Sequence, residues 1–595
     1  MRILETIVTL VLALLIAASS FYLGFTRFDF IGVPTTKWII RRMMPRPEHF
    51  HVSNSGTNDP HRLEGIDLED RVVVDKALSR KISKHLARLR RNRRVDTNYF
   101  QSGETRMERA GFREGMNVTY HRPSITKYGD HQWLWDSCFH SMVSIAMSRL
   151  AASPTRRTQH LADALEEIVS LFSAQNVETG FIPEMLYWTK DPNQQGIGGL
   201  LFGYHRDTFT DLTQMPMLMF SVHRIAGRLG ELNGGDHLRS AFLERILPLA
   251  RQYLDYWLRE RDPDENGLVS IIHPWESGLD ASPLYDPVHG FIDSVPTPEQ
   301  LYPNFIVLLY RYRHRCNWNL ACIQSLYNRF DVEDVAVNSV VAAGYRIISQ
   351  LSADNKLSKE CYEKFRKMKR TILDLLWDED LERFVSRGWI PDLGRTGLLT
   401  AKTIQLAFPL LLAEPEDASS SWIGKTLRTL ADRAAFGIDT TLTQNAPHDP
   451  LPAFNAIVPT TAGLEPAFNP FDSSLMWRGP TWPTTNWFVL EGLQVVEAAN
   501  LGLDSQKASS MAKLLKKKWR QLHIVRGFFE YYNPLSGEGL GQEGLGMSLA
   551  FAERLHHVKD GQEVVDLTSF GHAIEKLSVL AAASPKLHVH TEDDL

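Results

Sequence analysis

Cysteine is scarce in this chain. There are four in 595 residues, Cys138, Cys316, Cys322 and Cys361. None lies in a CxxC spacing, which excludes a disulfide-built scaffold and argues against a structural zinc site. Cys316 and Cys322 are the pair best suited to a disulfide in an oxidising compartment, with free buried thiols as the alternative. An excess of one charge is also missing. A net charge of -5 leaves no nucleic-acid footprint, so no nucleic-acid partner is expected. The 21 histidines include no HExxH helix. No GxSxG elbow, phosphate-binding P-loop or GxGxxG turn is present. Serine nucleophiles, phosphoryl transfer and nicotinamide binding therefore lack their usual signals, and neither cofactor nor metal is expected. "RDPDENG", with Asp262, Asp264, Asn266 and Gly267, matches the first half of a calcium loop. His273 stands where that loop requires a bidentate Glu, so a turn is the default reading.

What the chain has begins at its N-terminus. Residues 6–25, "TIVTLVLALLIAASSFYLGF", carry no charge and are long enough to cross a bilayer as a helix. We read residues 1–26 as a membrane anchor, with a cleaved signal peptide as the alternative. Arg27, Lys37, Arg41, Arg42 and Arg46 favour a cytosolic body, whereas the sequon "NVT" at Asn117 favours a lumenal one. Residues 27–66, rich in Pro, His, Ser, Asn and Gly, read as a tether. The body is expected over 67–560, followed by a C-terminal extension over 561–595.

The body opens with Val74, Leu78, Ile82, Leu86 and Leu89 at helical spacing. The basic end of that segment is read as a solvated helix face, with contact to anionic lipid as the alternative. Helical patterns then recur near 137–150, 159–174, 209–229, 246–258, 298–312, 332–352, 357–377, 400–412, 422–434, 484–499, 506–522 and 543–556. Strands are few and no short repeat is apparent. About a dozen paired helices with long loops predict an all-α fold, an α/α toroid with its loops meeting over one mouth; a helical solenoid gives a similar count.

Those loops share a composition. "HQWLWDSCFH" (131–140), "GFIPEMLYW" (180–188), "HPWESGLDASPLYD" (273–286), "MWRGPTWPTTNW" (476–487) and "GFFEYYNPLSGEGLGQEG" (527–544) each combine aromatic rings with acids or Arg. Trp faces suit the apolar faces of sugar rings, while acids, amides and Arg suit the hydroxyls. The competing reading is that these rings are core. Recurrence in five loops favours a carbohydrate site. Glycoside hydrolysis needs a protonated acid and a second carboxylate. Asp280 and Glu530 are candidates, with Glu276, Glu184, Asp136, Glu538 and Glu543 as competitors.

"WLWDSCFH", "WESGLDASP", "WRGPTWPTTNW" and "FFEYYNPLSGEGLG" together, in this order over about residues 70–560, resemble glycoside hydrolase family 63, in particular its mannosylglycerate and glucosylglycerate hydrolase branch. The resemblance implies an (α/α)6 barrel and an inverting reaction. The general acid would fall on Asp280, in the "ESGxD" motif, and the general base on Glu530, in "ExY". Trp133, Trp135 and Asp136 would contact the sugar. Gln214, in "TQMP", matches a family "TQPP" motif in which Met215 departs. Trp477, Arg478 and Trp482 would line the far side, with Arg478 either on the substrate or paired with an acid behind it. Trp275 and Tyr285 would shield Asp280 and keep it protonated, and Glu276 would bind a hydroxyl or hold the loop. The substrate implied is a small α-glucoside or α-mannoside, or an oligosaccharide. The anchor points to a second possibility, a glycan-processing glucosidase of the secretory pathway. A carbohydrate-binding protein without turnover is the non-enzymatic alternative.

Overall fold

Two kinds of helical sequence alternate along this chain, and the fold uses them differently. In the computed structural model the residues described are 71–94, 117–128, 131–151, 153–188, 210–438, 457–471, 473–554 and 568–582. Helix α1 (Arg71–Leu89) runs into strand β1 (Arg90–Arg94), which pairs antiparallel with β2 (Asn117–His121). Leu78, Ile82, Leu86 and Leu89 are buried, as their spacing requires. The basic end of the segment is not helix. It forms β1, and Arg90 pairs with Asp163 at 3.0 Å.

Strand β3 (Gln132–Trp133) leads into α2 (Leu134–Leu150), which pairs with α3 (Pro154–Ser173). Ser153 caps α3, and Pro154 sits where a missing N–H costs nothing. Strand β4 (Met185–Leu186) pairs with β3. Next come α4 (Leu218–Gly230) with α5 (Gly235–Glu260). An excursion holds α6 (Pro298–Cys316) and α7 (Leu320–Ser325), joined by a Cys316–Cys322 disulfide. Strand β5 (Val332–Glu333) then precedes α8 (Val335–Leu351) and α9 (Asn355–Leu376). Strands β6 (Trp377–Asp378) and β7 (Arg383–Phe384) form a small ladder. Strands β8 (Ser386–Ile390) and β9 (Arg395–Leu399) extend β5 into a three-stranded antiparallel sheet. A 3-10 segment, Ile404–Leu412, precedes α10 (Ser421–Ala431). Helices α11 (Pro483–Ala498) and α12 (Leu503–Arg526) pair, and the hairpin of β10 (Phe529–Tyr532) and β11 (Gly539–Glu543) follows. A second 3-10 segment, Gly546–Arg554, precedes α13 (Thr568–Ala582).

Among the described residues six of these segments close into a ring: α2 touches α4, α4 touches α8, α8 touches Ile404–Leu412, that segment touches α11, α11 touches Gly546–Arg554, and the last returns to α2. The partners α3, α5, α9, α10, α12 and α1 pack outside. Inner members are apolar nearly all round. Every residue of α2 from Leu134 to Ser148 is buried, and so is every residue of Ile404–Leu412. Outer members are amphipathic: α9 buries Cys361, Phe365, Met368, Ile372 and Leu376 along one stripe. The (α/α)6 architecture therefore follows from the pattern, with one difference. Two inner members are 3-10 rather than α-helical, and in the first Pro409 removes a ladder N–H.

The segment read as a C-terminal extension contains α13. That helix packs on α3 and α5, burying Ala573, Leu577 and Leu580 and pairing Lys576 with Glu166 at 2.7 Å. Among the described residues no helix is long and apolar enough to cross a membrane. Residues 6–25, the tether and Val74's side chain lie outside what is described.

Candidate active site

Three of the aromatic stretches run into an inner-ring member. Trp133, Trp135 and Asp136 stand at the beginning of α2, and Gln214 lies four residues before α4. Trp477, Arg478 and Trp482 precede α11, and the β10–β11 hairpin precedes Gly546–Arg554. The 273–286 turn is tied to the start of α8, because Tyr285 donates to Asp334, the residue that caps that helix, at 2.8 Å. Gln405 joins both groups, at 3.0 Å from the Tyr285 hydroxyl and 2.8 Å from Asp334. The loops are also stitched to one another. Leu134 N–H donates to Glu184 O at 2.9 Å, Thr481 and Tyr532 exchange two backbone bonds, and Gln214 Oε1 accepts the Trp135 N–H at 3.1 Å.

Glu530 is buried in this mouth. The β10–β11 register shifts between Phe529 and Tyr531, so Glu530 sits on a bulge, a device that re-aims a side chain. Opposite it, Gly541 has φ +69°, and a Cβ there would lie 2.8 Å from Glu530 Oε2. Only glycine fits this position, which accounts for part of the "GEGLGQEG" run. Lys127 Nζ donates to both Glu530 oxygens, at 3.1 and 2.9 Å. The Tyr128 hydroxyl donates to Oε1, and the Gln542 N–H donates to Oε2 at 2.8 Å.

Asp280 is half-buried and has no side-chain hydrogen bond to another residue. Burial pushes its carboxyl up to about 7; the charge of Glu530 adds to this, while Lys127 opposes it. The turn before it depends on Gly278, which caps the 3-10 turn Pro274–Ser277 at φ +70° and lies against the Trp135 ring. Asp136 is buried with Oδ1 unpartnered. Burial, followed by the charge of Glu530, raises it to about 8. Three carboxyl groups from three elements thus share one electrostatic environment. Two are raised, Asp280 to about 7 and Asp136 to about 8, and the third is surrounded by donors.

The other predicted residues divide. Trp133 and Trp275 are half-buried. Trp133 packs edge-on to Tyr128, and Trp275 edge-on to His273. Trp135 and Trp477 are nearly buried and meet at 6.3 Å. Trp482 is buried and stacks on Trp477 at 3.8 Å and on Tyr531 at 4.8 Å. With so little of its ring surface exposed, it packs as core rather than offering a face to the sugar. Arg478 takes the second of its two readings: its guanidinium makes a two-pronged pair with Asp286 at 2.7 and 2.5 Å. Burial raises Asp286 to about 6 against the pull of Arg478, so the pair is ionised at neutral pH. Glu276 takes the second of its two readings and holds the loop. It accepts from Arg261 at 2.7 Å, from Thr213 N–H at 3.3 Å and from Ile272 N–H at 2.9 Å.

Of the competing acids, Glu538 and Glu543 are exposed. "RDPDENG" is a closed turn: Asp262 accepts the Gly267 N–H at 2.9 Å, and the Asn266 amide donates to Asp264 and Glu333. Cation-ligand chemistry gathers instead at His121, His140 and Glu167, whose ligand atoms all lie within 4.8 Å. Glu167 already accepts from Ser137 at 2.6 Å and from His121 at 3.0 Å. Despite burial, Glu167 holds the His121 imidazole above its ordinary value, as an ion pair requires. Lys127 and Tyr128 were not among the sequence candidates. They lie in "ITKYGD", a loop with no compositional signal of its own, and only the tertiary fold brings them to Glu530.

A family model described as the mannosylglycerate hydrolase MGH1-like glycoside hydrolase domain matches residues 129–548. The mannosylglycerate hydrolase of Thermus thermophilus is 26% identical over 446 residues, spanning 71% of this chain and 93% of that one. The glucosylglycerate hydrolase of Mycolicibacterium hassiacum is 24% identical over 441 residues, spanning 69% and 88%. The crystal structure of a family 63 mannosylglycerate hydrolase from Thermus thermophilus, in complex with Tris and D-glycerate, superposes with a TM-score of 0.58 at 22% identity. The match covers 80% of this chain and 99% of that one.

Proposed function

We infer the function from one premise: this chain belongs to the mannosylglycerate hydrolase MGH1-like glycoside hydrolase family, and it is a glycosidase. We propose that it removes a terminal α-linked glucose or mannose from a small glycoside by a single inverting displacement. Asp280 protonates the leaving oxygen, and Glu530 takes the proton of the attacking water. The observation that carries this is the contrast between the two carboxyl groups. Asp280, raised to about 7, is poised to give a proton, whereas the two oxygens of Glu530 receive four donor contacts, from Lys127, Tyr128 and the Gln542 N–H, that hold them in place. Asp136, near the pair and with one oxygen unpartnered, is placed to take a sugar hydroxyl. Trp133 and Trp275 offer ring surface for the sugar.

Proton NMR of the first product tests the mechanism. A β-anomer released from an α-glycoside is expected, and retention of configuration would overturn it. An inverting pair stands roughly 6.5–9.5 Å apart and a retaining pair about 5–5.5 Å. Glucosylglycerate and mannosylglycerate are the first substrates to assay, because the relatives are named for them. Kojibiose, nigerose and trehalose test the oligosaccharide reading. For localisation we propose a membrane-anchored enzyme whose body faces an oxidising lumen. The uncharged run at 6–25 supports the anchor, and the Cys316–Cys322 disulfide and the exposed sequon residue Asn117 support this side over the cytosolic one that the flanking basic residues favour. A mass shift on deglycosylation that disappears in Asn117→Gln would confirm the side. A mature N-terminus near residue 20 would replace the anchor with a cleaved signal.

A further inference from the structure

The hydrogen-bond-accepting capacity of Glu530 is fully used. A carboxylate has about four lone-pair positions on its two oxygens. Oε1 receives Lys127 Nζ at 3.1 Å and the Tyr128 hydroxyl, and Oε2 receives Lys127 Nζ at 2.9 Å and the Gln542 N–H at 2.8 Å. An attacking water needs one of these positions. The Gln542 bond belongs to the hairpin that carries Glu530 and is fixed with it. The exchangeable contacts come from the loop after β2. That loop is held by its own side chains: Ser124 accepts the Lys127 N–H at 2.7 Å and donates to Lys127 O at 2.6 Å, and Thr126 donates to Gln542 at 3.0 Å. Its backbone is therefore anchored across the hairpin, while Lys127 reaches the carboxylate on a flexible stem and lies 4.5 Å from the Tyr128 ring centre. Tyr128 has φ +68°, an unusual conformation for a residue with a side chain.

We propose that Lys127 is a positioning residue for Glu530: it clamps both oxygens of the resting base, keeping it aimed, and gives up one of them to the nucleophilic water when sugar is bound. This rests on reading Glu530 as the base. The charged and titratable groups that face Glu530 are Lys127 and Tyr128 from the loop, Asp136 from α2, Asp280 from the 273–286 turn, and neighbouring Tyr531 on β10. Lys127 supplies the positive charge in that group, and it acts on Asp280 as well. Losing it should favour the protonated form of Asp280, whose charged form Lys127 supports. The basic limb of the pH–rate bell, which reports the acid, should then move upward, whereas a merely structural lysine would lower the bell without moving it.

The test compares Lys127→Met, Lys127→Arg and Glu530→Gln, with glucosylglycerate and mannosylglycerate as substrates. Lys127→Met is expected to lower kcat about tenfold or more with KM nearly unchanged, and to move the basic limb upward. Lys127→Arg should return that limb to its wild-type position and restore much of kcat. An unmoved bell in Lys127→Met, with Glu530→Gln inactive, overturns the proposal and leaves the base assignment intact. A Glu530→Gln enzyme within tenfold of wild type overturns the base assignment itself.

Discussion

The turn that presents Asp280 and the hairpin that presents Glu530 solve opposite problems by related means. Both place a glycine at positive φ against the machinery, Gly278 on the Trp135 ring and Gly541 on Glu530 itself. Beyond that they diverge. The Asp280 side offers burial and no side-chain partner, so the carboxyl is pushed up to about 7. The Glu530 side offers an ammonium, a hydroxyl and a backbone N–H, all donating to its two oxygens. Two groups of similar chemistry acquire complementary roles from what surrounds them. The polarity of each wall matters more than the carboxyl group it holds.

The comparison breaks most completely if either group loses its acid–base capacity. Asp280→Asn and Glu530→Gln should each lower turnover by about 10²–10⁴-fold with folding intact, read by steady-state kinetics beside thermal melts. A next step separates the walls from the frame. Arg478→Ala strands Asp286 and should cost about 3–5 kcal/mol of stability. Trp482→Ala should cost about the same, because it empties a ring stack. If denaturant melts show either variant near wild-type stability, that residue belongs to the pocket rather than the core. Smaller is the effect of Asp136→Asn, whose sign follows from linkage. The folded Asp136 titrates at about 8, above its unfolded value, so its carboxyl costs stability increasingly as pH rises from about 4 to 8. The variant should match wild type in melting at pH 4 and exceed it at pH 8, by on the order of 1–3 kcal/mol. The same sign applies to Asp280→Asn up to about pH 7. The subtlest change is Trp135→Ala. Removing the ring over Gly278 admits water to the acid turn and should lower the basic limb of the pH–rate profile while leaving the acidic limb in place.

How legible this was varied with the range of the interaction. Helix positions follow from local periodicity, and the twelve patterned spans correspond to α2 through α6, α8 through α12 and the two 3-10 segments. The 3-10 character was not legible, since an apolar run such as "IQLAFPLLL" fits either helix. The motifs identified Asp280 and Glu530 because their glycines and aromatic neighbours are close in sequence. The motif leaves Arg478 open and places Trp482 on the sugar for the same reason, although Asp286 and Tyr531, which they meet, lie in other motifs. The 3.1 and 2.9 Å contacts of Lys127 to Glu530 join residues about four hundred positions apart, a relation that composition does not record.

The seam of the ring has a consequence for how the enzyme comes into being. Gly546–Arg554 closes against α2 and against α1, so the last inner member meets the earliest helices of the body. A chain emerging from the ribosome can assemble α2 through α11 while its mouth is still open on one side. Glu530 reaches Lys127 only when the final tenth or so of the body has been made. Catalytic competence is therefore a late event in biosynthesis, and a nascent or truncated chain ending before residue 529 would carry the acid without the base.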